Sequence, residues 1–107
     1  VNRGEIWTVA GGVYASKPRP ALIVQDDAFA QTGSVTVLPL TTSLTDAPLL
    51  RLRLRSGEAG LTRHSDIMID KLTTVRRSSV GTRVGRVSTE RLVEIERALM
   101  AFLGMAR

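Results

Sequence analysis

Leu50-Arg51-Leu52-Arg53-Leu54-Arg55 alternates strictly between apolar and cationic side chains. A period of two belongs to a β-strand, whose successive side chains point to opposite faces. Such a strand turns three leucines toward a core and a row of guanidiniums the other way. The apolar runs before it are equally short. Gly4-Glu5-Ile6-Trp7-Thr8-Val9 alternates and stops at Gly11-Gly12, Ala21-Leu22-Ile23-Val24-Gln25 is nearly all apolar until Asp26-Asp27, and Val35-Thr36-Val37-Leu38-Pro39-Leu40 makes another. These read as a half-buried first strand and two central strands. Val13 to Pro20 is expected to be a loop feeding the second strand, because Pro18 and Pro20 fix φ on either side of Arg19. Beyond a turn at Ser56-Gly57-Glu58-Ala59-Gly60, Asp66–Asp70 and Leu72–Val75 read as a strand pair or one long bent strand, and Thr82–Val87 as a short strand.

Only the last segment changes period. Leu92, Ile95, Leu99, Phe102 and Leu103 recur at three- and four-residue steps, Ser88 can cap the first turn, Glu90 lies near the positive helix end, and Gly104 can stop the helix. Short strands closed by one amphipathic helix predict a mainly β (α+β) fold, a small SH3-like barrel with a C-terminal α-helix. At 107 residues the chain is expected to form a single domain, 1–107, large enough for a real core.

Composition removes several chemistries. With no cysteine, thiol catalysis, disulfides and cysteine-ligated zinc are excluded. His64 is the only histidine, so a histidine pair and a histidine-built zinc site are excluded as well. Asp66 and Asp70, with Asp26 or Asp27, offer carboxylates for magnesium, but their spacing does not demand it, and neither metal nor cofactor is expected. No apolar run approaches the roughly 18 to 20 residues of a membrane span, nor is there a signal-peptide stretch; the expected location is the cytoplasm. The net charge is +5, and only Lys17 and Lys71 among the basic residues are lysines. Arginine's planar fork suits phosphate, so a polyanionic partner is consistent with this balance, as is a bias of base composition.

Three motifs in order carry a resemblance: Arg3-Gly4-Glu5-Ile6-Trp7, then Arg19-Pro20-Ala21-Leu22-Ile23-Val24, then Pro39-Leu40-Thr41-Thr42-Ser43. Gly60-Leu61, Ser65-Asp66, Asp70-Lys71-Leu72-Thr73-Thr74-Val75 and Val84-Gly85-Arg86-Val87 continue it across nearly the whole chain. Together they resemble the MazF/PemK family. The resemblance implies a MazF-like, CcdB-like barrel, a homodimer with a groove for single-stranded RNA, and a metal-independent endoribonuclease toxin of a type II toxin-antitoxin system. It further implies a MazE-like antitoxin partner with an acidic C-terminal segment. By family position Arg19 and Thr41 are the catalytic pair.

Metal-free RNA cleavage uses the substrate's 2′-hydroxyl as nucleophile and leaves a 2′,3′-cyclic phosphate and a 5′-hydroxyl end. The protein supplies geometry, proton transfer and stabilisation of phosphoryl charge. Arginine, with a pKa above about 12, is a poor base, so Arg19 is assigned to charge stabilisation and leaving-group donation. Thr41 would position the phosphate, with Thr42 and Ser43 as adjacent substrate-binding hydroxyls. Tyr14 is a base-stacking candidate, and Lys17 and Lys71 are candidates for RNA contact. Some family members carry a glutamate in the first loop as general base. Here Gly11 to Lys17 contains no acid, which leaves the base unassigned. Two other readings fit part of the pattern. One is a gyrase-poisoning toxin of the same barrel, as CcdB is, although the chain lacks a terminal Trp-Gly-Ile. The other is a non-enzymatic SH3-like module that binds nucleic acid or an acidic peptide.

Overall fold

The computed structural model describes the backbone of residues 1–11 and 14–105 and the side chains of residues 1–10 and 17–105. Strands β1 (Glu5–Gly11), β2 (Tyr14–Ile23), β3 (Ser34–Thr41), β4 (Arg51–Leu54), β5 (Ser65–Met68), β6 (Thr73–Arg76) and β7 (Val80–Arg86) precede one helix, α1 (Thr89–Phe102). The strands form a seven-stranded sheet in the order β4-β5-β3-β2-β1-β7, with β6 paired to β3. All pairings are antiparallel.

Cross-strand register sorts the side chains into two cores. Ile6 pairs with Leu22 and Leu22 with Leu38, and this face packs with Leu40, Leu54, Ile67 and Ile95 against the helix. The alternate residues Val9, Ala21, Ile23, Val35 and Val37 form a second cluster, covered by Trp7, Val75 and Val80. Each fully buried leucine or isoleucine contributes roughly 1.5–3 kcal/mol, so the helix-side cluster dominates the stability of the fold.

The mainly β architecture with a terminal helix matches the sequence reading, but element boundaries moved. The segment expected as a loop before Arg19 is strand: β2 starts at Tyr14 and runs through Lys17, Pro18, Arg19 and Pro20. The reason lies in the direction of the backbone donors. Gly4 N–H donates to Ile23 O and Val24 N–H donates to Thr36 O, so odd-numbered residues of β2 bond toward β1 and even-numbered ones toward β3. Pro18 and Pro20 therefore lack their N–H on the β3 side alone, and the ladder to β1 continues through Thr8–Pro20 and Val9–Arg19. Asp66–Asp70 and Leu72–Val75 are two strands joined by a 3-10 turn at Ile69–Lys71; β5 pairs with β3 and β4, whereas β6 pairs with β3.

The helix follows its signals closely. Ser88 Oγ accepts from Arg91 N–H at 3.1 Å, and Gly104 adopts φ +73°. Gly104 N–H donates to Ala101 O and Met105 N–H to Met100 O, the paired bonds of a Schellman ending. The apolar stripe, however, is not all core. Ile95 is buried, but Phe102 and Leu103 are 46% and 47% exposed.

Candidate active site

Arg19 and Thr41 lie on neighbouring strands. The register of β2 with β3 is Ile23–Val37, Leu22–Leu38 and Ala21–Pro39; Arg19 and Thr41 each lie two residues beyond the last of these pairs, so their side chains share its face. Thr41 in turn pairs with Asp66 of β5, and Asp66 with Arg53 of β4. Thr41, Asp66 and Arg53 thus form a row across β3, β5 and β4, and Arg19 lies on the same face of neighbouring β2, at the polar end of the face that carries the second apolar cluster. The prolines explain why the pairing stops at this end. Neither Pro18 nor Pro20 can donate to β3, so the β2–β3 ladder lacks donors beyond the Ala21–Pro39 pair.

The row is ordered from its β5 side. Asp66 is fully buried. Its Oδ1 accepts from Arg53 Nε at 2.9 Å and its Oδ2 from Arg53 Nη2 at 3.2 Å, a two-pronged pairing of guanidinium and carboxylate. Thr45 N–H donates to the same Oδ2 at 3.1 Å, which ties the chain after Thr41 back to β5. Burial alone would raise the Asp66 pKa, but the Arg53 and Thr45 hydrogen bonds and the charges of Arg53 and Arg51 outweigh it and hold the group below its usual value. Asp66 is therefore a fixed anion with weakened basicity. Its use here differs from the magnesium ligand weighed in the sequence, and among the described residues no cluster of three or more metal-ligating side chains exists.

Thr41 is half-buried, and its Oγ1 accepts from Ser43 N–H at 3.1 Å. That bond occupies an acceptor site and leaves the hydroxyl proton free to donate outward. Thr42 and Ser43 follow as exposed residues of a bend. Arg19 is exposed, as is Lys17, which shares its face two residues earlier in β2. Tyr14 begins β2, but its side chain lies outside the described residues. Lys71 is exposed on the 3-10 turn between β5 and β6, off the row, and makes no hydrogen bond or ion pair among the described residues.

In the sequence Asp66 stands as a possible magnesium ligand and Arg53 as one of a row of guanidiniums. The strand order places them side by side. Of the arginines in β4 and just after it, Arg51 pairs with Asp70 and Arg53 with Asp66, while Arg55 has no ion pair among the described residues. Arg77 is a strut: its Nε donates to Thr32 O at 2.8 Å. His64 is exposed, and its Nδ1 accepts from Ser56 N–H at 2.9 Å.

The opening motif serves as scaffold. Glu5 is buried, and its Oε1 accepts from Asn2 N–H at 2.6 Å and Trp7 Nε1 at 3.1 Å, its Oε2 from Arg83 Nε at 2.9 Å. Burial would raise its pKa, but these bonds lower it from 4.5 to about 2. The motif joins β1 to β7 and fixes the Trp7 indole against the second cluster.

The family model for PemK-like, MazF-like toxins of type II toxin-antitoxin systems matches residues 2–103. A probable endoribonuclease MazF of Mycolicibacterium smegmatis is 56% identical over 99% of both chains. Among solved structures, a mycobacterial endoribonuclease in complex with its cognate antitoxin superposes with a TM-score of 0.83 at 24% identity, covering 100% of this chain and 98% of that one. The Mycobacterium tuberculosis toxin MazF-mt6 superposes at 0.82 and 19% identity, covering 96% and 99%. With the motifs, the barrel and the family model in agreement along nearly its whole length, this chain belongs to the PemK/MazF family of type II toxins.

Proposed function

We propose that this chain is a sequence-specific endoribonuclease toxin that cuts single-stranded RNA without a metal, by attack of the substrate's 2′-hydroxyl on the adjacent phosphorus. The observation that carries this reading is the placement of Arg19 and Thr41 on one face of neighbouring strands, each two residues beyond the last β2–β3 pair, with Thr41 beside the Asp66–Arg53 pair. The Arg19 guanidinium stabilises the charge that grows on the phosphoryl oxygens and donates toward the leaving 5′-oxygen. The Thr41 hydroxyl, its acceptor side held by Ser43 N–H, donates to a phosphoryl oxygen and keeps the phosphate in line. Asp66 does not take the 2′-hydroxyl proton; a buried carboxylate held anionic by Arg53 is too weak a base and has both oxygens engaged. The row supplies positioning and charge, and the base lies outside it. Lys17, Thr42 and Ser43 border the row as substrate contacts, with Tyr14 and Lys71 as outer ones.

The active species is a homodimer in the cytoplasm, restrained by an antitoxin with an acidic C-terminal segment. The dimer reading is supported by apolar side chains left in solvent near the end of α1 and before β4: Leu49 is 84% exposed, Met105 70%, Leu103 47% and Phe102 46%. The antitoxin reading is supported by the family and by the relative solved with its cognate antitoxin.

Incubating the purified protein with a long unstructured RNA in excess EDTA and mapping fragment ends tests the proposal. Fragments with 5′-hydroxyl ends, lost in folded Arg19→Ala and Thr41→Ala variants, are the expected result. Intact RNA, or cleavage that survives both substitutions, overturns it.

A further inference from the structure

Two clefts flank the arginines of β4. The smaller, about 440 Å³, is lined by the segment from Leu44 to Pro48 together with Arg51, Arg53 and Asp66. The larger, about 770 Å³, lies between β4 and α1, where Arg55, His64, Arg91 and Arg97 join the walls with Glu94. Pro48, Arg51 and Arg53 line both, so the clefts form one trough divided by a ridge of guanidiniums. Its inner end is Asp66, cross-strand neighbour of Thr41. The trough therefore leads from the row of the candidate active site onto the helix flank.

Five arginines line the larger cleft against a single lining carboxylate, Glu94. Arg51, Arg53 and Arg91 are engaged by Asp70, Asp66 and Glu58. Arg55 and Arg97 are exposed and have no ion pair among the described residues. A multiply charged anion is the ligand that gains most here, because it meets Arg97 and Arg55, neither ion-paired among the described residues although Arg55 lies within the field of Glu58, and a half-exposed third cation, Arg53.

The backbone argues against an added peptide strand. β4 is a sheet edge, but Arg51 N–H already donates to Ala47 O at 2.8 Å, Arg55 N–H to Glu58 Oε1 at 3.1 Å, and Arg55 O accepts from Glu58 N–H at 2.9 Å. An extended peptide would find little ladder left to bond. The apolar groove beyond Ala98, lined by Leu49, Leu50, Ala101 and Phe102, belongs to the surface already assigned to self-association. What remains is recognition by side-chain cations, which a phosphodiester strand satisfies without backbone pairing.

We propose that the cleft between β4 and α1 is a second phosphate seat, holding single-stranded RNA that flanks the bond positioned by Arg19 and Thr41, with Arg55 and Arg97 as its contacting cations. The proposal rests on the nuclease reading for the identity of the strand, and its test does not require cleavage. Randomised RNAs of 5 and 20 nucleotides carrying 2′-O-methyl groups at every ribose bind without being cut, and their affinities are measured across a salt series. Each phosphate contact adds about 0.7 to the slope of log affinity against log salt for a single strand. The Arg55→Gln/Arg97→Gln double variant is expected to lose about tenfold more affinity for the longer RNA than for the shorter, with a slope lower by about 1.4. Arg55→Lys/Arg97→Lys restores most of the slope, and Glu94→Gln tightens the longer RNA, a gain that damage to the fold does not produce. Equal losses on both lengths, or none, overturn the proposal. So does an RNA affinity left intact while binding of an acidic peptide falls, which reassigns the cleft to a protein partner. Length-dependent binding in a protein that cuts no unmodified RNA would instead refute the nuclease reading and leave the seat standing.

Discussion

The Asp66 carboxylate receives both Nε and Nη2 of Arg53, at 2.9 and 3.2 Å, and Thr45 N–H at 3.1 Å, while sitting fully out of solvent between β3 and β4. Removing one partner from such a group costs more than the pair contributes, because the other is left without its donors or acceptors. Asp66→Asn presents an amide nitrogen to one of three N–H donors and should lower unfolding free energy by about 1–3 kcal/mol. Arg53→Ala acts differently, since it leaves an anion buried with one remaining hydrogen bond. Its stability deficit relative to the wild type should narrow as pH is lowered through the carboxylate range, where Asp66 becomes neutral. Denaturant melts at several pH values check both, and a deficit for Arg53→Ala that widens in acid contradicts the pairing.

Glu5 makes the acid limb of the stability curve specific. Its pKa is lowered from 4.5 to about 2 in the folded chain. A depressed carboxylate stabilises above its unfolded value and loses that contribution as pH falls through the folded one. The window is therefore about 4.5 down to 2, and integrating across it gives roughly 3 kcal/mol. Glu5→Gln should be less stable at neutral pH and show a flatter decline through that window. If the two curves run parallel there, the buried carboxylate is not the source of the acid sensitivity.

The period-two pattern of Leu50–Arg55, the apolar runs and the helix with its Ser88 cap and Gly104 stop were readable in the chain because each rests on local spacing. The start of β2 was not. Two prolines around Arg19 look like a loop until the direction of their missing donors is known, and that direction depends on which strands flank them. The Asp66–Arg53 pair was hidden for a similar reason: thirteen residues apart, they meet only because β4 and β5 are neighbours. The motif match singled out Arg19 and Thr41, but their place on one face of neighbouring strands comes from the register of β2 with β3. Phe102 and Leu103 kept the helical period yet lie outside the monomer core, which periodicity alone does not distinguish.

A close backbone approach holds the turn before β5 against β7. A Cβ on Gly85 would sit 2.0 Å from Ala59 O, and one on Gly60, whose φ is +81°, 2.1 Å from Val84 O. Both contacts are to backbone, which cannot swing aside. Gly85→Ala should therefore cost more than about 2 kcal/mol and loosen the Glu58–Arg91 pair that this turn presents to α1. Gly33→Ala is the control, since nothing lies within 4 Å of its added methyl. Equal melting temperatures for the two variants would contradict the packing.

Arg19 and Thr41 share a face of neighbouring β2 and β3 but have different work in the proposed reaction, and their substitutions should differ in kind. Loss of a preorganised donor to a developing oxyanion typically costs two to three powers of ten in rate, so Arg19→Ala should lower kcat by about 100- to 1000-fold. Arg19→Lys keeps the charge but not the planar fork and should recover only part of that loss. Thr41→Val keeps the shape of the side chain and removes one hydroxyl bond, worth about 1 kcal/mol, for a loss of roughly fivefold to tenfold. It also frees the Ser43 amide that Thr41 Oγ1 now accepts, so the bend carrying Thr42 and Ser43 should loosen and KM should rise. Arg19→Ala should leave KM much less affected, because its contribution is greatest when phosphoryl charge is largest. Steady-state kinetics on one short RNA separates the two effects. A large KM change for Arg19→Ala with kcat intact would assign that arginine to ground-state binding and remove it from the chemistry.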